Sequence, residues 1–395
     1  MSGVSTKLSA SEILPSEEGG LLVGRVFTRE TNGASLVVVD GEDLVDITDL
    51  GPTTTVLYSR DDLVQVLQSA LAEPSRHRWR VAEALDFDPE RPDEAAVRLI
   101  APIDLQVIKA AGVTFVESML ERVIEEGAGG DPSLAESLRD QLTETIGGTI
   151  SSIKPGTQEA AKVKEVLQRE GLWSQYLEVG IGPDPEIFTK APVLSAVGSG
   201  QAIGVHADSR WNNPEPEVVL VVRGDGTPIG ASLGNDVNLR DFEGRSALLL
   251  AEAKDNNASC AIGPFVRVFD ETFDMDSVRA LDIQLQVNGG DGFGLEGFSS
   301  MKNISRDPMS LVRHAWGEHH QYPDGFVLFT GTLFSPTQDR HAPGAGFTHE
   351  LGDRVAISNP YLGSLINVVM HSQRAPRWET GIWAFVTNLS DRGLL

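Results

Sequence analysis

The chain has 395 residues, 41% of them hydrophobic, and its 57 acidic and 32 basic residues give a formal net charge of −25. So acidic a surface disfavours nucleic acid and anionic lipid as partners. The single cysteine, Cys260, excludes an intrachain disulfide and fits a reducing, cytoplasmic setting. No apolar stretch approaches the roughly 18 residues of a membrane span, and the polar first twenty residues carry no apolar secretory segment. The length points to one large domain and one smaller one.

Three short apolar runs, LLVGRVF, ASLVVVD and DLVDIT, are separated by Gly, Asn and Asp and predict strands between residues 21 and 50. Residues 61–72 have helical spacing, and 80–99 return to strand and loop. Residues 1–100 therefore read as a small β-rich domain and 101–395 as the larger one. Within the latter, apolar residues at three- and four-residue steps predict a helix over 113–126. A loop follows over 127–133, then helices over 134–146 and 160–170, so that about 127–180 reads as a helical insertion. From about 181 to the end, short strands alternate with Gly- and Pro-rich turns. The fold class expected is α+β and β-rich.

Glu215-Pro216-Glu217 precedes the apolar run Val218-Val219-Leu220-Val221-Val222. Residues two apart on a strand face the same side, so both carboxylates aim at one point beside a buried strand. A divalent cation is the usual remedy for such crowded negative charge. Asp236 offers a third carboxylate and Lys254 an amine. These are hard oxygen donors, suited to Mg²⁺, Mn²⁺ or Ca²⁺ rather than zinc. Gly292-Phe293-Gly294-Leu295-Glu296-Gly297 fits G-x-G-x-x-G, but the preceding Asn288-Gly289-Gly290-Asp291 signals a hairpin instead of a nucleotide loop. His314, His319 and His320 lack zinc-site spacing and read as a loop. Cys260 reads as a small buried side chain.

The residues around the acidic cluster resemble the fumarylacetoacetate hydrolase superfamily over roughly residues 101–375. Pro185-Glu186-Ile187-Phe188-Thr189-Lys190 is similar to its F-x-K-P strand, and Pro214-Glu215-Pro216-Glu217 to its metal-binding E-x-E. Leu233-Gly234-Asn235-Asp236-Val237-Asn238-Leu239-Arg240-Asp241 resembles its GNDVSARD, with Asn-Leu for Ser-Ala. Ala253-Lys254 followed by Ala261-Ile262-Gly263-Pro264, and Phe329-Thr330-Gly331-Thr332, resemble its later K…GP and TGT motifs. The resemblance implies a mixed β-roll catalytic domain beside a smaller N-terminal β domain, assembled as a homodimer or homotetramer. It implies Mg²⁺, with Mn²⁺ as the alternative, on Glu215, Glu217 and Asp236. By the same resemblance Arg240 holds the site or the substrate, Lys254 faces a bound 2-keto acid, and Thr332 touches its carboxylate.

Hydrolases of the superfamily carry N-Y-x-x-H-x-x-E, whose His and Glu activate water. Here the stretch runs Thr114 to Glu121, with Ser118 in the place of the His. A serine without a base cannot take a proton from water near neutral pH, and Glu121 alone is half of the dyad. Pro185 to Ala191, followed by Trp211-Asn212-Asn213-Pro214-Glu215-Pro216-Glu217, is similar to the branch that dehydrates 2-keto-3-deoxypentonates. That resemblance implies Lys254 and Glu186 as catalytic residues, the first taking a C3 proton and the second giving one to the C4 hydroxyl, in roles that could be exchanged. The product would be 2,5-dioxopentanoate. Ser118, Asp208 and Ser209 are set among the substrate-binding residues. The alternatives are a hydrolase cleaving a C–C bond in an acylpyruvate on the same metal site, and a keto-acid-binding protein without turnover.

Overall fold

The computed structural model describes residues 8–395 apart from 18, 130, 132, 136, 137, 139–152, 170–172, 334, 335, 344 and 345. The expected N-terminal strands form as β1 (Leu22–Thr28), β2 (Gly33–Asp40) and β3 (Asp43–Asp46), followed by β4 (Arg78–Arg80) and β5 (Val97–Ile100). The rest of the strands are β6 (Val107–Gly112), β7 (Glu186–Ala191), β8 (Ala202–Val205), β9 (Asn212–Asn213), β10 (Pro216–Val222), β11 (Pro228–Asp236), β12 (Asn238–Leu239) and β13 (Cys260–Val268). They continue with β14 (Asp282–Asn288), β15 (Gly294–Ser300), β16 (Phe326–Phe329), β17 (Arg354–Asn359) and β18 (Gly363–His371).

One long sheet has the order β4-β3-β2-β1-β13-β11-β10-β16-β6-β7, with β5 also on β1. A second runs β15-β14-β17-β18-β8, and β9 pairs with β12. Most ladders are antiparallel; β6–β16 and β8–β18 are parallel. The architecture is a mixed, β-rich α/β fold with several sheets. Strand β1 meets β13 at Leu22↔Arg267 and Val23↔Val266, so the N-terminal strands extend the sheet that carries the acidic cluster.

All seven residues of β10 are buried. Its side chains divide between two apolar clusters: Val218, Leu220 and Val222 join Leu285, Ile357 and Leu365 of the smaller sheet, while Val219 and Val221 join Ile262 and Val266. Both faces are covered, which is why this strand reads as a continuous apolar run instead of an alternating one.

The helix expected over 61–72 is Leu63–Leu71, and that over 160–170 is Gln158–Arg169. The helix expected over 113–126 begins later, as Val116–Gly127. Val113 has a φ of 58°, Phe115 is extended and bridges to Ile304, and helical geometry starts only after it. Most of the helix expected over 134–146 lies outside the described residues.

From about residue 181 onward, strands and Gly- and Pro-rich turns alone were expected, but the structure also carries helices there. Helix Pro308–Ala315 starts with proline in its first turn, and Asp307 accepts from the Met309 N–H. Helix Ile382–Asp391 buries Phe385 and Leu389, four apart on one face. The G-x-G-x-x-G segment belongs to the β14–β15 hairpin, in register from Asp282↔Ser300 to Asn288↔Gly294. No helix of the described residues is long and apolar enough to cross a membrane.

Candidate metal and catalytic site

Two strand ends build the acidic cluster. Glu217 lies on β10 and is paired with Gly234 of β11, and Asp236 ends β11. Glu215 directly precedes β10; its N–H donates to Asn235 Oδ1 and its carbonyl accepts from the Asp236 N–H. The register therefore sets the carboxylates side by side. Each offers an oxygen within 4.8 Å of the others, and all three residues are buried. Gly234 is demanded by packing, since a Cβ there would lie 2.3 Å from the Phe329 ring.

Lysines enter the cluster from two directions. Lys254, at the end of the helix Leu250–Lys254, donates to Glu215 Oε2 at 2.6 Å and Asp236 Oδ2 at 3.2 Å. Burial opposes its charge, but Asp236 and Glu215 outweigh that and raise its pKa, so it is held as an ammonium among free carboxylates. Lys190, wholly buried on β7, puts Nζ 2.9 Å from Asp236 Oδ1 and also bonds the Lys254 carbonyl. Burial raises the Asp236 pKa; the two lysines overcome this and lower it.

Glu217 is left with less help. It accepts from the Gly331 N–H at 2.7 Å, yet burial together with Asp236 and Glu215 drives its pKa well up. A buried, oxygen-only donor set with one carboxylate under this pressure fits a hard divalent cation, and the residues present fit Mg²⁺ or Mn²⁺.

Arg122 lies behind Glu215. It reaches Glu215 Oε1 at 2.5 Å, and Glu125 Oε2 and Glu243 Oε2 at 2.7 Å each. Arg240, also buried, sits 3.2 Å from Glu125 Oε1 and donates to Asn213 Oδ1 at 2.8 Å. Buried charges persist when paired in this way. Arg122, Glu125 and Glu243 were missed from the sequence, and Lys190 appeared only as part of the F-x-K-P resemblance, with no role given. One signal was present: Ser118, Arg122 and Glu125 fall at i, i+4 and i+7, on one helical face.

Glu186 and Phe188 of β7, Ser118, Thr332 and Lys254 line the cavity that holds the triad. Burial, and next the Glu243 charge, push the Glu186 carboxyl up to about 7, against the opposing pull of Arg122 and Lys254. Its Oε2 sits over Gly112 of β6, where a Cβ would lie 2.0 Å away. Ser118 donates its hydroxyl to the Phe115 carbonyl at 2.9 Å.

The structure thus brings together Glu215, Glu217, Asp236, Lys254, Glu186, Ser118 and Thr332. It does not bring three other candidates to that cavity wall. Arg240 stands behind it, tied to Asn213 and Glu125. Asp208 and Ser209 belong to a turn that folds onto other groups: the Asp208 N–H meets His206 Nδ1, and Ser209 Oγ donates to Asp241 Oδ1. Ser209 lines a separate cavity with His206, His349 and His371. His314 holds the Ser310 carbonyl of its own helix. Burial pushes the Cys260 thiol up to about 12.

The profile of the fumarylacetoacetate (FAA) hydrolase C-terminal family matches residues 160–370. The chain belongs to the fumarylacetoacetate hydrolase family. Within it, a 2-dehydro-3-deoxy-D-arabinonate dehydratase of Saccharolobus solfataricus is 33% identical over 185 residues, covering 47% of this chain and 58% of that protein. A probable 2-keto-3-deoxyxylonate dehydratase of Haloferax volcanii is 33% identical over 194 residues, covering 49% and 63%. The match thus spans about three fifths of each curated relative's length.

Among solved structures, a 2-keto-3-deoxy-D-arabinonate dehydratase, described as complexed with magnesium and 2,5-dioxopentanoate, superposes with a TM-score of 0.56 at 21% identity, covering 89% of this chain and 99% of that one. A maleylpyruvate hydrolase from Sphingobium superposes with a TM-score of 0.53 at 15% identity, covering 89% and 99%. At these identities both likenesses speak for the family fold alone.

Proposed function

We propose that this member of the family is a divalent-metal-dependent hydro-lyase that converts a 2-keto-3-deoxypentonate to 2,5-dioxopentanoate in sugar-acid breakdown. One observation carries the reading: Glu186, Lys254 and a buried oxygen-only triad share one cavity in which Ser118 stands where a water-activating histidine would be. The relatives 33% identical, both described as dehydratases of such acids, support it.

Glu215, Glu217 and Asp236 would hold the cation. Bound there, Mg²⁺ (or Mn²⁺) would supply Lewis acidity toward a 2-keto acid, and Glu215 and Asp236, committed to the cation, would no longer hold the Lys254 proton. Lys254 loses its ammonium proton to solvent and, as the neutral amine, takes the C3 proton. Glu186, still protonated up to about pH 7, gives its proton to the departing C4 hydroxyl, and water leaves. Tautomerisation puts the aldehyde at C5. Thr332 and Ser118 face the substrate from the cavity wall, and Arg240 acts through Glu125 and Asn213 on the frame behind it.

We also read the catalytic part as a β-roll from about residue 101, with 1–100 a smaller β-rich domain and 127–180 a helical insertion. The assembly is read as a homodimer or homotetramer in a reducing cytoplasm. Light scattering tests the assembly, and a monomer would refute it.

The activity is tested by incubating the protein with Mg²⁺ and racemic 2-keto-3-deoxypentonate and following products by NMR. An aldehyde signal appearing as the C4 carbinol is lost supports the dehydratase. No reaction, together with cleavage of an acylpyruvate to pyruvate and a carboxylic acid, would replace it with a hydrolase.

A further inference from the structure

A cavity of about 420 Å³ lies apart from the acidic site and shares no lining residue with it. Its walls come from β1, from the end of β5, from residues 194–202 and from the C-terminal segment around the helix Ile382–Asp391. Four arginines line it, Arg25, Arg29, Arg98 and Arg377, against the carboxylates of Asp93 and Glu379. In a molecule with a net charge of −25, such a concentration of guanidinium groups is a local inversion of sign.

The arginines are only partly accounted for by the fold. Arg25 is 5% exposed; its Nη1 donates to the Ala101 and Ile103 carbonyls, and Asp104 Oδ2 stands 3.9 Å from Nε. That Nε has no hydrogen-bond partner among the described residues. Arg98 is ion-paired with Asp93 at 2.8 Å and stacks 4.0 Å from the Phe27 ring centre, and its Nε is likewise without a partner among the described residues. Arg29 donates to the Asp93 carbonyl but has no carboxylate within 4.0 Å among the described residues. Arg377 is exposed. A purely structural strap would explain the Arg25 bonds to carbonyls; it would not gather Arg29 and Arg377 at the same wall. Phe27, Phe385 and Trp378 supply apolar surface beside the charge, and Trp378 is 46% exposed.

We propose that this cavity is a second binding site, for a small organic anion whose carboxylate or phosphate meets Arg25, Arg29 and Arg377 and whose apolar or planar part lies against Phe27, Phe385 and Trp378. Its size suits a metabolite-sized ligand, and guanidinium groups suit planar recognition of either oxyanion. The site is independent of the dehydratase reading, because it uses none of the residues that reading employs.

Calorimetric titration of the full chain at low ionic strength, without added metal, tests it with two probes: phthalate for a carboxylate and AMP for a phosphate ester. Saturable binding of one probe per chain is expected for at least one of them, and which one binds distinguishes the two anion types. Arg29→Gln with Arg377→Gln, both at exposed positions where folding is safe, should weaken it tenfold or more. Lys254→Met should leave it unchanged. Absence of saturable heat with both probes overturns the proposal, as does binding that the paired arginine variant keeps at full strength, whatever Lys254→Met does.

Discussion

Glu186 owes its high proton affinity to burial first and to the nearby Glu243 charge second, and both can be measured. Between its ordinary value of 4.5 and about 7, the folded chain keeps a proton that the unfolded chain has lost. Stability therefore falls as pH rises through that window, and the full penalty is present above it. Glu186→Gln removes the charge and keeps the shape. It should cut turnover by about 10²–10⁴-fold, the range of a lost general acid. It should also raise stability at pH 8 by about 1–3 kcal/mol, with little change at pH 4, measured by denaturant unfolding. If the residue acts as the acid, kcat falls as pH rises through about 7, and Glu243→Gln, which deletes a raising charge, moves that fall to lower pH. A rate that climbs with pH through 7 would make Glu186 the base and exchange its role with Lys254. Lys254 yields a complementary prediction. Its ammonium occupies Glu215 and Asp236, so Lys254→Met should abolish turnover while Mg²⁺ affinity, read by calorimetry, holds or rises. A large loss of affinity would show that the lysine orders the carboxylates instead.

The turn after β16 and the strand β6 show how backbone elements set the site. Gly331 has a φ of 98°, and a Cβ there would lie 1.9 Å from Thr114 Oγ1, which donates to the Thr330 carbonyl. Its N–H is the donor that holds Glu217. Gly331→Ala should cost about 1–3 kcal/mol of stability and weaken Mg²⁺ binding with it, because the turn must shift. Gly112→Ala strains nothing in the backbone but meets the Glu186 carboxylate. It should leave unfolding nearly unchanged and displace the pH limb assigned to Glu186. The same elements mark where sequence reading succeeds and stops. Glu215 and Glu217 were legible because a period of two is intrinsic to a strand, and the apolar run marked that strand as buried. Arg122 was not, since its partner Glu215 lies 93 residues away and only tertiary packing joins them. Lys190 and Glu243 were hidden for the same reason, whereas Glu125 pairs with Arg122 three residues away and only the helical spacing pointed to it. Asp208 and Ser209 lie close to the acidic motif in sequence, yet the Asp208 N–H bonds His206 within the turn and the Ser209 hydroxyl is taken up by Asp241, 32 residues away.

At the scale of the whole molecule, strands could be read one by one, whereas the pairing of β1 with β13 could not, because register between distant strands is decided by which faces the core covers. The helix Ile382–Asp391 escaped for a related reason: its buried face rests on two residues, Phe385 and Leu389, while Ile382 and Trp383 remain exposed and blur the pattern. The net charge of −25 adds a property that belongs to no single element. Self-repulsion lowers the stability of so acidic a chain, and any salt relieves it by screening. A rise in Tm on adding Mg²⁺ is therefore not by itself a sign of a site. Binding to the folded state alone contributes RT ln(1 + [L]/Kd), about 2.7 kcal/mol at a hundred times Kd. The triad predicts that Mg²⁺ raises Tm by a few degrees beyond NaCl of equal ionic strength, and that Glu217→Gln removes the excess and leaves the screening part. The variant itself should be more stable than the parent without metal, since it deletes a buried carboxylate whose charge burial, Asp236 and Glu215 all oppose. Equal responses to Mg²⁺ in parent and variant would place the ion on the general acidic surface and leave the buried carboxylates a structural cluster held by Lys190, Lys254 and Arg122.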